Sequence, residues 1–197
     1  MRKVRECLDW PNQWLNRLDL WRKRVTLEET PTIYGRLYLR GNGSITMGRA
    51  VKINSAFWAN SVGLAPHTSL ETFAPGRLII GSRVGLSNCV ISAKTLIQIG
   101  SGVFIGGGVQ IFDHDFHSLY ATYRRLRPDP DIQTRPIVIG DEVFIGTRSI
   151  ITKGSTIGAR SVIGAGSVVS GTVPPDEIWA GNPARFIKKI YPLEHHS

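Results

Sequence analysis

The chain has 197 residues, of which 42% are hydrophobic, and 24 Lys and Arg against 15 Asp and Glu give a formal net charge of +9. That length suits one main domain with appendages, and no apolar run approaches a membrane-spanning helix. The positive balance points to nucleic acid, an anionic membrane surface or a phosphorylated ligand, but no helix-turn-helix, zinc-finger or aromatic RNA-binding pattern is present, so nucleic acid is not expected.

Residues 1–35 read as an N-terminal appendage. Met1 to Arg5 is basic, yet no apolar h-region follows, so no secretory signal is expected. Residues 12–25 read as an amphipathic helix, because Trp14, Leu18, Trp21 and Val25 recur at spacings of four, three and four. Arg17, Arg22, Lys23 and Arg24 crowd its polar side. The helix packs on the main domain or a sister subunit, or, as the alternative, lies on anionic lipid as a peripheral anchor. Pro31 and Gly35 end the appendage. With Cys7 and Cys89 alone there is no disulfide framework, which fits a reducing cytoplasm. Cys89 reads as a small buried residue.

Residues 36–175 carry a six-residue rhythm. It begins irregularly at Met47 and Ile53, departs over 57–76, returns at Ile80 and Leu86, and slips by one residue around Ala93 and Lys94. It resumes at Ile99, Ile105 and Ile111, stops for a polar insertion at 112–136, then runs through Ile139, Ile145, Ile151, Ile157, Ile163 and Val169. Neither a helix, with a period of about 3.6, nor a single strand, with a period of about 2, sustains this. A β-helix does, since six residues make a short strand and a corner, and three such steps close a triangular coil. Glycine after the aliphatic residue, as at Gly140, Gly146, Gly158 and Gly164, suits the corner, and the fifth position holds Val143, Ser149, Ser155, Ser161 and Ser167, small enough for a narrow interior. Pro174 and Pro175 end the coil. Residues 176–197 read as a basic closing segment with a short helix from Pro183 onward, and the terminal LEHHS at 193–197 resembles an expression-tag remnant.

Reactive side chains concentrate in the insertion, at Asp113, His114, Asp115 and His117. A histidine near its ordinary pKa can take a proton from a hydroxyl at neutral pH, and a carboxylate or carbonyl on the other ring nitrogen would fix its tautomer. Long irregular segments inside regular folds are usually functional.

Three blocks carry a family resemblance: PIVIGDEVFIGT at 136–147, IGAGSVV at 163–169 and AGNPARFIKKI at 180–190. With INSAFWAN and VGLSNCVISA earlier in the chain, they make the sequence from about Gly43 to Lys189 resemble the left-handed β-helix, hexapeptide-repeat acyltransferases, in particular the galactoside, maltose and polysaccharide O-acetyltransferases. The resemblance implies an all-β, left-handed parallel β-helix, acetyl-CoA as donor substrate with no metal, a homotrimer, and active sites between neighbouring subunits. It implies His117 as the base, in His117-Ser118-Leu119-Tyr120 with Arg124 downstream, and keeps His114 as a competitor beside Asp115. It places Asn88, Tyr120 and Arg124 on the acceptor side. Gly146, Thr147, Ala165 and Ser170 fall on the pantetheine track, and Arg185 and Lys188 near the nucleotide phosphates. Tyr120 stands where the family has aspartate, and Ala93 and Lys94 occupy the region of an acidic residue of the galactoside enzymes, so the acceptor is expected to differ from a simple galactoside. The expected function is O-acetylation of a sugar or surface-polysaccharide precursor, in the cytoplasm or at the inner membrane face. The alternatives are N-acetylation of an amino sugar or xenobiotic, a γ-carbonic-anhydrase-like metal enzyme using His67, His114 and His117, and a non-catalytic β-helix.

Overall fold

The computed structural model describes residues 10–62 and 66–190, and in it the chain visits three parallel sheets in rotation. The first sheet stacks Thr26–Leu27, Ser44–Met47, Arg77–Ile80, Leu96–Ile99, Ile137–Ile139, Thr156–Ile157 and Thr172–Val173. The second stacks Thr32–Gly35, Lys52–Ser55, Gly85–Ser87, Phe104–Ile105, Phe144–Ile145, Val162–Ile163 and Glu177–Gly181, with Ala184–Lys189 added at its end. The third stacks Tyr38–Gly41, Ser69–Thr72, Val90–Ala93, Gln110–Phe112, Ile150–Ile151 and Val168–Val169. Each strand pairs with the strand three places on, so the fold is a three-sided coil.

The register explains the spacing of six. Ile139 pairs with Ile157, Ile145 with Ile163, and Ile151 with Val169, so three hexads complete one turn and each aliphatic residue lands on its counterpart in the next. All six are buried, and each such burial stabilises by about 1.5–3 kcal/mol. The fifth-position serines Ser149, Ser155, Ser161 and Ser167 are fully buried and need partners. Their hydroxyls donate to the carbonyls of Gly164, Thr152, Pro174 and Gly164 respectively, at 2.6–2.9 Å. A hydroxyl of that size fills the corner and closes its own hydrogen bond.

Paired strands begin at Thr26, ahead of residue 36 where the rhythm becomes legible, because the first turn has no hexad signature. The described residues after Ser55, 56–62 and 66–68, belong to no strand, and the chain rejoins the third sheet at Ser69.

The N-terminal helix, α1, spans Trp10–Arg22, but its inner face differs from the expected stripe. Asn16 and Leu20 are the buried residues, while Trp14 and Trp21 are exposed. The cause is the open edge of the first turn. Asn16 Nδ2 donates to the Gly35 carbonyl at 2.8 Å, its Oδ1 accepts from the Leu37 amide at 3.0 Å, and Asp19 pairs with Arg36. Satisfying backbone groups at a sheet edge decides the orientation over burying indole rings.

The expected C-terminal helix from Pro183 is a strand. Ala184–Lys189 turns back at Gly181 (φ +103°) and runs antiparallel to Glu177–Gly181, with Trp179 opposite Phe186. The edge of the second sheet offers a row of hydrogen bonds that local helix propensity cannot match. Residues 193–197, read as a tag remnant, lie outside the described residues, as does Cys7. Among the described residues no helix is long and apolar enough to cross a membrane.

Candidate active site

The insertion leaves the corner between the third and first sheets and returns to the same place. The Arg135 amide donates to the Asp113 carbonyl (2.8 Å), the Asp115 amide donates to the Gln133 carbonyl (2.9 Å), and His114 bridges Thr134. Lys153, from the same corner one turn on, holds Asp115 Oδ1 at 2.6 Å. The loop is therefore closed at its base, and Asp113 and His114 belong to the rigid coil.

Asp113 points inward and is fully buried. Its Oδ1 accepts from the Lys94 amide at 2.7 Å, and its Oδ2 from those of Thr95 and Leu96 at 2.7 and 2.8 Å. Burial alone raises the carboxyl's pKa, but the hydrogen bonds from His114 and the three amides outweigh it and hold the pKa below its ordinary value. The slip in rhythm at Ala93 and Lys94 creates the cluster of amides that this carboxylate fills.

His114 follows and is itself buried. Its Nδ1 lies 3.0 Å from Asp113 Oδ1. A carboxylate fixed by three amides can only accept, so Nδ1 carries the proton and Nε2 keeps a lone pair. The side chain is 5% exposed, with Phe116 against it at a centroid distance of 4.8 Å and Phe73 edge-on at 6.2 Å. The ring is oriented, largely dry, and able to accept a proton at one defined atom.

His117 has none of this. Its side chain is 60% exposed and its Nδ1 is 3.8 Å from Asp129 Oδ2, beyond hydrogen-bond distance. The segment around it is a local structure built on Ser118, whose amide and hydroxyl donate to Asp129 and Asp131. Tyr120 caps a short helix, α2 (Ala121–Arg124), and is exposed. Arg124 donates to the carbonyls of Ser118 and Leu119 at 3.0 and 2.8 Å, so its charge is spent on holding that turn.

The remaining residues divide between two corners. Asn88, Gly146, Thr147 and Ala165 all stand where the chain passes from the second to the third sheet. Gly146 is required there, because a Cβ would come within 2.5 Å of the Ala165 amide nitrogen. Its own N–H donates to the Ile163 carbonyl at 2.8 Å and is not free to hold an oxyanion. Asn88 is buried, donates through Nδ2 to the Asn60 carbonyl, and leaves Oδ1 without a partner among the described residues. Ser170 stands at the other corner, with Lys153 and the insertion, and so does not line up with Thr147 and Ala165 within one chain. Arg185 and Lys188 lie on the C-terminal strand, and Lys188 lines a groove of 700 Å³ with Ile178, Phe186, Ile187, Lys189 and Ile190.

A single chain therefore does not bring His114 and the Thr147–Ala165 corner together, since the width of the third sheet separates them. His67 packs on Tyr38 with the rings tilted and their centroids 4.3 Å apart. Among the described residues no group of three His, Cys, Asp or Glu converges as metal ligands. Sequence reasoning named Asp113 in the reactive cluster without its role, and missed Lys153, Phe73 and Phe116, which no local spacing marks.

Residues 136–171 match the family model described as bacterial transferase hexapeptide (six repeats). The chain is 32% identical over 158 residues to WbbJ of Escherichia coli (strain K12), named for O-acetyl transfer in lipopolysaccharide biosynthesis, covering 77% of this chain and 75% of that protein. It is 36% identical over 111 residues to the galactoside O-acetyltransferase of the same strain, covering 55% of this chain and 52% of that one. Among solved structures, the hexapeptide-repeat acetyltransferase VCA0836 of Vibrio cholerae O1 biovar eltor, in complex with acetyl-CoA, superimposes with a TM-score of 0.52 at 26% identity, covering 90% of this chain and 78% of that one. With the coil, the hexads and a relative matched over most of both chains, the protein belongs to the hexapeptide-repeat acyltransferase family.

Proposed function

We propose that the protein is an O-acetyltransferase that moves the acetyl group of acetyl-CoA to a hydroxyl of a sugar or surface-polysaccharide precursor, with His114 as general base. The observation that carries this reading is the Asp113–His114 pair, which leaves Nε2 as the proton acceptor of an oriented ring that packs against Phe73 and Phe116. The relatives named for sugar and lipopolysaccharide acetylation supply the acceptor class, and the acetyl-CoA complex of VCA0836 supports the donor.

His114 Nε2 removes the acceptor hydroxyl proton as that oxygen bonds to the thioester carbonyl carbon. Collapse of the tetrahedral adduct breaks the carbon–sulfur bond, and the proton held on the imidazole passes to the leaving thiolate. Asp113 keeps its negative charge throughout and stabilises the imidazolium. The developing oxyanion takes a donor other than the Gly146 amide. The exposed rings of Phe73 and Phe116 are of the kind that pack on sugars.

The donor lies along the second-to-third corner, past Gly146, Thr147 and Ala165, with Arg185 and Lys188 toward its phosphates. Because His114 stands at the opposite corner, the reacting groups meet only if a second copy faces the first. This supports a homotrimer of left-handed β-helices with active sites between subunits. Outward-facing Phe104 and Phe144 pair on the second sheet at 59% and 48% exposure, an apolar stripe suited to that contact. Asn88 Oδ1, which has no partner among the described residues, is assigned to the acceptor side of the neighbouring site. Use of acetyl-CoA as donor supports a location in the cytoplasm or at the inner membrane face.

The test is a turnover screen with acetyl-CoA against sugars, nucleotide sugars, amino sugars and lipid-linked glycans. The expected result is thiol release with a hydroxyl acceptor that His114→Ala abolishes. Turnover confined to amine acceptors would replace O-acetylation by N-acetylation.

A further inference from the structure

We infer that α1 docks the protein on an anionic phospholipid surface through a stripe of three exposed tryptophans. Trp10, Trp14 and Trp21 are 69%, 58% and 76% exposed. At about 100° per residue they fall, with Arg17, within an arc of about 60°. Asn16 and Leu20, about 110° round the helix from the middle of the stripe, hold the helix to the open edge of the first turn. The side that meets the coil is thus defined by hydrogen bonds, and the three indoles lie outside it, with Arg17 at the border, lining a groove with Asn16, Leu20 and Thr32.

Three indoles left exposed by the described residues make a large apolar surface that needs an occupant. Charge selects which one. The only acid within Trp10–Arg22, Asp19, is drawn inward to Arg36. Arg17 stands inside the stripe, and exposed Arg22, Lys23 and Arg24 follow at the C-terminal end. Lys23 donates from Nζ to the Gly41 carbonyl, which ties this basic end to the coil. Two copies of the stripe facing each other would oppose arginine to arginine. A bilayer interface takes indole rings at the headgroup level, and anionic headgroups take the guanidinium groups beside them. At 13 residues with a mixed surface, α1 suits an in-plane orientation rather than a span. Docking of this kind would keep a lipid-linked acceptor within reach, but the surface is argued from α1 alone and does not depend on the acetyl-transfer reading.

The experiment is flotation of the full chain with phosphatidylcholine vesicles and with mixed phosphatidylcholine–phosphatidylglycerol vesicles. The wild type is expected to float with the mixed vesicles and to stay behind with phosphatidylcholine alone. Trp10→Ser/Trp14→Ser/Trp21→Ser is expected to lower partitioning by about tenfold or more, and Arg17→Glu to weaken binding with an unchanged melting temperature and unchanged acetyl-CoA binding. Should the triple variant fold poorly, Arg17→Glu alone carries the test. A wild type that ignores both vesicle types overturns the inference, as does flotation of the variants equal to wild type. Loss of the oligomer in the tryptophan variant without loss of flotation assigns the stripe to a subunit contact instead.

Discussion

The imidazole Nδ1 of His114 lies 3.0 Å from Asp113 Oδ1, and the same carboxyl group accepts three backbone amides from the turn below. The carboxylate is thus fixed by the coil before it meets the histidine, and it dictates which nitrogen carries the proton. Replacing Asp113 by Asn leaves the shape but offers a neutral group that can present an N–H to the ring. The expected outcome is a fall in kcat by about a thousandfold, with little change in the KM for acetyl-CoA. Steady-state kinetics on the folded variant checks this, and a rise in KM at constant kcat would assign Asp113 to binding.

The same carboxylate sets an acid limit on stability. Its folded pKa lies below the ordinary 3.8, so the unfolded chain binds its proton at higher pH than the folded one. Its stabilisation is full above 3.8 and is lost as pH falls through the folded value. The melting temperature of the wild type should fall through this range more steeply than that of Asp113→Asn, in which the group cannot titrate. Thermal melts at a series of pH values below 5 or so test it, and parallel curves would contradict it.

Gly146 meets a steric demand without a left-handed backbone. A Cβ there would lie 2.5 Å from the Ala165 nitrogen and 2.8 Å from its Cα, both backbone atoms that cannot step aside. Gly146→Ala is expected to destabilise by about 1–3 kcal/mol through overpacking. Gly166→Ala meets no atom within 4 Å and is strained only by its φ of +70°, so its cost is expected to be smaller, about 1 kcal/mol. Urea unfolding of both variants orders the two effects.

How much of this was legible in the sequence follows from how local each cause is. Ile139 to Val169 announce the coil because each side of the triangle repeats the same inward demand, and that demand is written every six residues. Ala184–Lys189 reads as a helix because its strand exists only through the exposed edge beside it, which no spacing within the segment records. Trp14 and Trp21 look like an inner face until the Asn16 side chain is seen to complete backbone groups of Gly35 and Leu37. The choice between His114 and His117 was open for the same reason, since the amides that fix Asp113 come from residues 94–96, one turn away. The division of Thr147 and Ser170 between two corners likewise appears only when the hexads are wound into sides.

Cys89 is expected to be chemically silent. Burial pushes its thiol up to about 12, against smaller opposing hydrogen bonds from Thr68 and the backbone of Cys89 and Ser87. At neutral pH almost no thiolate forms. In a Cys7→Ser background, alkylation by iodoacetamide should proceed only as fast as the protein unfolds. Rapid labelling of the native protein, located by peptide mass, would show that the second-to-third corner opens.

The central claim is that His114, oriented by Asp113, is the base. Steady-state turnover of acetyl-CoA with the best acceptor, compared between His114→Ala and His117→Ala, tests it most directly. The account predicts that His114→Ala loses about three orders of magnitude in kcat while still binding CoA, and that His117→Ala stays within a few-fold of wild type. Loss of turnover in His117→Ala with near-normal rates in His114→Ala would contradict it and move the chemistry to the exposed loop.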